Sequence, residues 1–193
     1  MIVFGLLSFA VVALVFYYFR TYTVKKLLPE DFIEQLVGYV KAGKTDDAVK
    51  LCEKNSNLVA DVALAALARK WEGRDVVEQA IKDQGRRSIS FLWQQLSYLV
   101  DIATIAPMVG LLGTVVGMIE AFNGIAFEMT AVKPILLASG IAKAMIATAA
   151  GLFIAIPAMI FYAYFKGKLQ KITLEHEHVA TELLYLITER EGK

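Results

Sequence analysis

Pro107-Met108-Val109-Gly110-Leu111-Leu112-Gly113-Thr114-Val115-Val116-Gly117-Met118-Ile119-Glu120-Ala121-Phe122 is followed, after a short interval, by Gly140-Ile141-Ala142-Lys143-Ala144-Met145-Ile146-Ala147-Thr148-Ala149-Ala150-Gly151-Leu152-Phe153-Ile154-Ala155-Ile156-Pro157-Ala158. These two runs decide the fold. Each is long enough to cross a bilayer, since about 20 residues at roughly 1.5 Å each cover about 30 Å of hydrocarbon. Gly110, Gly113, Thr114, Gly117 and Ala121 share one stripe at the i, i+3, i+4, i+7 spacing of a helix. Gly140, Ala144, Ala147, Thr148, Gly151, Ala155 and Ala158 form a second. Small residues let helix backbones approach closely, which membrane association rewards. Such faces need a partner surface, so assembly into an oligomer is expected.

Outward from this pair, residues 2–19 form a third apolar run with no charge. Residues 99–125 are interrupted only by Asp101 and Glu120, and residues 135–165 only by Lys143. The chain is 57% hydrophobic with a mean hydropathy of +0.53, which points to a membrane protein rather than a soluble domain. The N-terminal run lacks a basic segment before it and an A-x-A-like site after it, so it reads as an uncleaved span and not a signal peptide. Of the 20 Lys and Arg residues, 13 lie in 20–97 and 5 in 166–193. The positive-inside rule then places both segments in the cytoplasm, with the N-terminus and the loop 127–133 outside.

The cytoplasmic segment reads as helices. Pro29-Glu30-Asp31 opens one, with acids at the positive end of its dipole, and Phe32, Leu36, Val37 and Val40 recur at helical spacing. Gly43 is expected to stop it and Thr45 to cap the next. A third is expected over 58–71, broken by Gly73. A long helix from Asp75 should run directly into the second span. The expected fold class is an all-α integral membrane protein: a first span at 1–19, a cytoplasmic helical region at 20–97, a two-span core at 98–165 and a cytoplasmic helix at 166–193.

Little else in the chain carries chemistry. A net charge of +1 gives no basic case for nucleic acid. Cys52, the single cysteine, allows no intrachain disulfide and reads as a buried, reduced thiol. His176 and His178 lie two apart on a helix, about 200° around it, and cannot share a metal at that spacing. Both read as part of a solvated, charged face. No nucleophile–base arrangement is visible, so no enzyme, metal or cofactor is expected.

The polar groups in the spans carry the functional signal. Thr114 and Thr148 either bond back to their own helix carbonyls or form a polar lining at a subunit or pore interface. Lys143 lies roughly 13 Å past Pro134 at about 1.5 Å per residue. A lysine at mid-span costs about +2.5 to +3.5 kcal/mol on insertion scales. It must pair, meet water or snorkel outward. Glu120 sits near the outer end of its span.

The segments 110–122 and 140–158, with their two threonines and the Ala-Ile-Pro ending at Pro157, resemble the MotA/TolQ/ExbB proton-channel family. Three spans with an outer N-terminus and a cytoplasmic insert resemble the ExbB/TolQ branch rather than the four-span flagellar stators. The resemblance implies a homopentamer in the bacterial inner membrane around a dimer of a single-span ExbD- or TolR-like protein that carries the proton-accepting aspartate. It puts Thr114 and Thr148 beside that route and Gly110, Gly113, Gly117, Gly140, Gly151 and Pro157 at packing positions. Members often hold a glutamate where this chain has Lys143, so that acid's role does not carry over. The lysine instead becomes a partner for Glu120 or a partner carboxylate, or a cation at the outer mouth. Three functions stay open: energising TonB-dependent outer-membrane transport (ExbB-like), envelope integrity or gliding through a TolA-like protein (TolQ-like), or a non-conducting membrane scaffold. A neighbouring gene for a TonB-like or TolA-like protein would separate the first two.

Overall fold

The computed structural model describes residues 2–126 and 134–189, all but their connections helical. The expected outer loop, 127–133, and the last residues of the expected C-terminal segment lie outside the described residues. Among the described residues seven α-helices follow in order: α1 Ile2–Thr21, α2 Val24–Leu27, α3 Glu30–Ala42, α4 Thr45–Glu53, α5 Leu58–Ala68, α6 Arg74–Ala126 and α7 Pro134–Thr188. A 3-10 turn, Lys70–Glu72, precedes α6. Within α1, α6 and α7 lie three stretches long and apolar enough to cross a membrane. The helix expected from Asp75 is continuous into the second span: α6 is a single helix of 53 residues.

The chain divides into two compact units. One comprises Met1–Tyr17 and Leu96–Tyr164, the other Tyr18–Gln95 and Phe165–Lys193. The first holds the apolar stretches. Its outward side chains are large and hydrophobic, among them Phe9, Leu112, Ile119, Phe153 and Ile160. In water such a surface would aggregate; in hydrocarbon it is solvated.

The second unit has a conventional core. Phe32, Leu36 and Val40 of α3 are buried at the spacing read from the sequence, and Val37 is half-buried. Gly43 ends α3 at φ 73°, its N–H bonding the Val40 carbonyl at 3.1 Å while Lys44 N–H reaches Tyr39 at 3.0 Å. Only glycine takes that left-handed turn without strain. Thr45 does not cap α4. The capping position is Lys44, with no side-chain bond, and the Thr45 hydroxyl instead accepts from Lys70 Nζ at 2.6 Å. The third expected helix is shorter than read: α5 ends at Ala68, and Trp71 sits in the 3-10 turn, 81% exposed. Its true cap is Asn57, whose Oδ1 accepts from Ala60 N–H at 2.8 Å. Gly73 marks the break before α6 at φ 95°.

Two tyrosines give this unit ties that sequence periodicity does not show. Tyr18 Oη donates to the Gln95 carbonyl, and Tyr22 Oη donates to the Leu92 carbonyl at 2.8 Å. Their rings stack at 5.1 Å, and Phe165 meets both edge-on at 5.7 and 6.0 Å. All three side chains are fully buried. Each buried hydroxyl thus has an acceptor, which removes the penalty of leaving it unpaired. Cys52 is buried as read, and burial pushes its thiol up to about 11, so it is protonated and unreactive at neutral pH.

Candidate functional site in the paired spans

The small-residue stripes meet each other within one chain. Ala147 and Thr148 of α7 lie against Gly110, where an added Cβ would stand 3.0 Å from Ala147 O and Thr148 Cα. The next contacts are Gly113 against Ala147 Cβ at 2.7 Å, Gly117 against Ala144 Cβ at 3.1 Å and Gly140 against Ala121 Cβ at 2.5 Å, measured the same way. Toward the other end, a Cβ on Gly151 would stand 2.5 Å from Ala106 O and 3.2 Å from Pro107 Cα. At Gly113, Gly140 and Gly151 an added Cβ would force a shift, because the facing helix backbone or its first carbon already fills the space; Gly110 and Gly117 are tighter than ordinary contact. The stripes expected to need a partner subunit are therefore satisfied by the antiparallel neighbour in the same chain. Pro157, read as a packing position, is exposed within α7, while Ala155 and Ala158 beside it are buried.

The threonines sit at this crossing. Thr148 Oγ1 donates to the Gly110 carbonyl across the helix pair at 3.4 Å, a long bond. Thr114, about one turn on from Gly110, donates to the Leu111 carbonyl of its own helix at 2.6 Å. The bond back to its own helix is thus present for Thr114, while Thr148 bonds the neighbouring helix of the same chain. A hydroxyl that has spent its hydrogen still offers oxygen lone pairs, so Thr114 is an acceptor toward anything beside it. Beside it runs an open groove of about 420 Å³ lined by Thr114, Val115, Met118, Ile119, Phe122 and Asn123. Asn123 is a polar member of that groove missed in the sequence. Its signal was an amide in the last turns of an apolar run, offset from the small-residue stripe.

Glu120 and Lys143 share a level of the pair, because Gly117 faces Ala144 and Gly140 faces Ala121. Both side chains are exposed, and no ion pair joins them among the described residues. Within one chain they are two separate charges at the same depth, each open to a neighbour.

An all-helical protein with three membrane-length apolar helices and a glycine-packed, threonine-bearing crossing defines a class of multi-span membrane protein. Residues 54–178, more than half the chain, match the MotA/TolQ/ExbB proton channel family, and the chain belongs to it. The biopolymer transport protein ExbB of Salmonella typhimurium is 42% identical over 89 residues, which cover 46% of this chain and 36% of that protein. The Tol-Pal system protein TolQ of Pseudomonas aeruginosa is 40% identical over 92 residues, 48% of this chain and 39% of its own length. The ExbB of Pseudomonas putida is 31% identical over 132 residues, 66% of this chain and 39% of that protein. The chain spans well under two thirds of the length of each of these relatives.

Proposed function

We propose that this chain is the multi-span subunit of a proton-driven motor in the bacterial inner membrane, not an enzyme, with its N-terminus periplasmic and its C-terminus cytoplasmic. Five copies surround a dimer of a single-span, ExbD- or TolR-like protein, and the assembly energises TonB-dependent outer-membrane transport. The observation that carries this reading is the threonine pair at the glycine crossing. Thr114 opens onto a membrane-level groove with free acceptor lone pairs, where a protonated carboxyl on a partner helix would find an oxygen to bond. Moving one charge through 100 mV supplies about 2.3 kcal/mol. A partner aspartate that is neutral in transit and charged at rest would convert that energy into steps. Five subunits cannot satisfy two partner helices equally, so each proton favours a new registration, read here as rotation. A TolQ-like role in envelope integrity or gliding is the second reading, favoured by the near-equal identity to relatives of both names.

The proposal seats neighbouring copies on faces left uncovered once the glycine stripes have paired. Tyr98, Ile105, Leu112 and Ile119 on α6, and Ile146, Phe153 and Ile160 on α7, are all exposed at seven-residue spacing. That spacing keeps one side of a helix facing a partner helix. Native mass spectrometry in several mild detergents tests the reading. Five copies carrying a co-purifying single-span protein with an intramembrane acid are expected. Monomers or dimers alone would overturn it.

The charges at the outer level give a further expectation. An exposed lysine in a span must be paired or hydrated. Lys143 and Glu120 are expected to pair between neighbouring copies. Lys143→Met should lower proton-driven activity more than it lowers pentamer yield. Lys143→Glu should be better tolerated with Glu120→Lys, because a single reversal sets like charges together and the double restores attraction. A double-mutant cycle on activity should return a coupling above about 0.5 kcal/mol. A coupling of zero would separate the two residues, and normal activity in Lys143→Met would make the lysine a snorkelling cation.

A further inference from the structure

His176, read from sequence as one of two solvated histidines, is 3% exposed, and its Nε2 has no hydrogen-bond partner. His178 remains exposed. The His176 ring is seated against Gly85 of α6, where a Cβ would stand 3.1 Å from His176 Cε1 and 3.9 Å from Val62 Cγ2 of α5. It is thus the point at which α5, α6 and α7 meet. Beside it lies a groove of about 470 Å³ between α6 and α7.

We infer that His176 is a proton-operated latch in this unit: the neutral ring closes the junction of α5, α6 and α7, and a protonated ring leaves its seat for the adjoining groove and loosens all three helices. The seat suits only a neutral imidazole. An imidazolium carries an N–H on both nitrogens, and Nε2–H would be buried with nothing to bond. The groups around it are Asp61 on α5, Glu78, Lys82 and Arg86 on α6, and Glu177 on α7. Lys82 is held by Glu78, and Asp61 accepts from Ser88 at 3.4 Å. In the groove, by contrast, the Glu177 carboxylate is an acceptor for a charged ring.

Burial holds the His176 imidazole below the usual histidine range, opposed by a backbone hydrogen bond at Leu58 and by the charges of Glu177 and Asp61. The direction fixes the sign. The open state, with an ordinary pKa of about 6.5, takes up the proton before the closed state does. The closed junction is therefore fully stable above about 6.5 and is weakened as pH falls from there toward the depressed value. This inference does not depend on the transport reading.

The test is hydrogen–deuterium exchange on the full chain in lipid nanodiscs at about pH 7.5 and about pH 5.5, corrected for intrinsic exchange rates. In the wild type, α5 and residues 81–89 of α6 are expected to lose protection by up to about tenfold at the lower pH. His178→Gln should show the same loss, and His176→Leu none. Gly85→Leu, whose side chain would fill the ring's seat, should show the loss already at the higher pH. Equal wild-type protection at both pH values would overturn the latch. So would an undiminished loss in His176→Leu, or wild-type protection at the higher pH in Gly85→Leu, a readout that stands even if His176→Leu does not fold.

Discussion

Gly151→Leu is expected to abolish the folded membrane unit. A Cβ at this position already stands 2.5 Å from the Ala106 carbonyl oxygen and 3.2 Å from Pro107 Cα. Both are backbone atoms of a helix, which cannot swing aside as a side-chain tip can. Overpacking a close contact typically costs about 1–3 kcal/mol, and a whole isobutyl group against backbone belongs at or above the top of that range. Helix separation would also break the Thr148–Gly110 bond. The control is Gly167→Ala, at a helical glycine with nothing within 4 Å of an added Cβ. That change should be neutral or stabilise by up to about 1 kcal/mol through helix propensity. Thermal midpoints and yields of the two purified variants check the contrast. If Gly151→Leu keeps a wild-type midpoint, the crossing is not as drawn.

The double variant Thr114→Val, Thr148→Val is expected to assemble normally and to lose proton-driven activity by at least tenfold, equivalent to about 1.4 kcal/mol in the transfer step. Valine nearly matches threonine in shape, so packing at the crossing is kept. What disappears are two hydroxyls: one bonded within its own helix at 2.6 Å, the other across the pair at 3.4 Å. Neither is a strong tie, and the stability change should stay within about 1 kcal/mol. Activity and thermal midpoint measured side by side separate a route from a packing role. Wild-type activity in the double variant would assign both threonines to packing alone.

The long helices were legible because their signals are local. Apolar run length marks the spans, and Gly43 and Gly73 at positive φ mark the breaks. The small-residue stripes were legible as packing faces, but their partner was not. Stripe spacing states that something must approach closely, and whether that something lies in the same chain depends on how α6 and α7 return on each other. Thr45 illustrates a different limit. Its hydroxyl can cap a helix or accept from a distant lysine, and Lys70, 25 residues away, decides. His176 was misread for the same reason. Its i, i+2 relation to His178 shows that the two point apart, yet which of them is buried follows from α5 and from the missing side chain at Gly85. The Tyr22–Leu92 bond spans 70 residues and ends on a backbone carbonyl, which leaves no mark in the sequence. At the candidate site, the threonines and the two charges could be named from the sequence; the common level of the charges required the helix pair, and Asn123 joins Thr114 along the open face of α6.

The most direct measurement is proton uptake, under an imposed membrane potential, into liposomes holding this chain together with the single-span partner proposed for it, once that partner has been isolated by co-purification. Uptake well above that of liposomes holding this chain alone, and its loss in the Thr114→Val, Thr148→Val variant, is the result expected of a proton-driven motor subunit. Uptake no greater than in protein-free liposomes, from an assembly shown to be intact, would contradict it and leave a scaffold that conducts nothing.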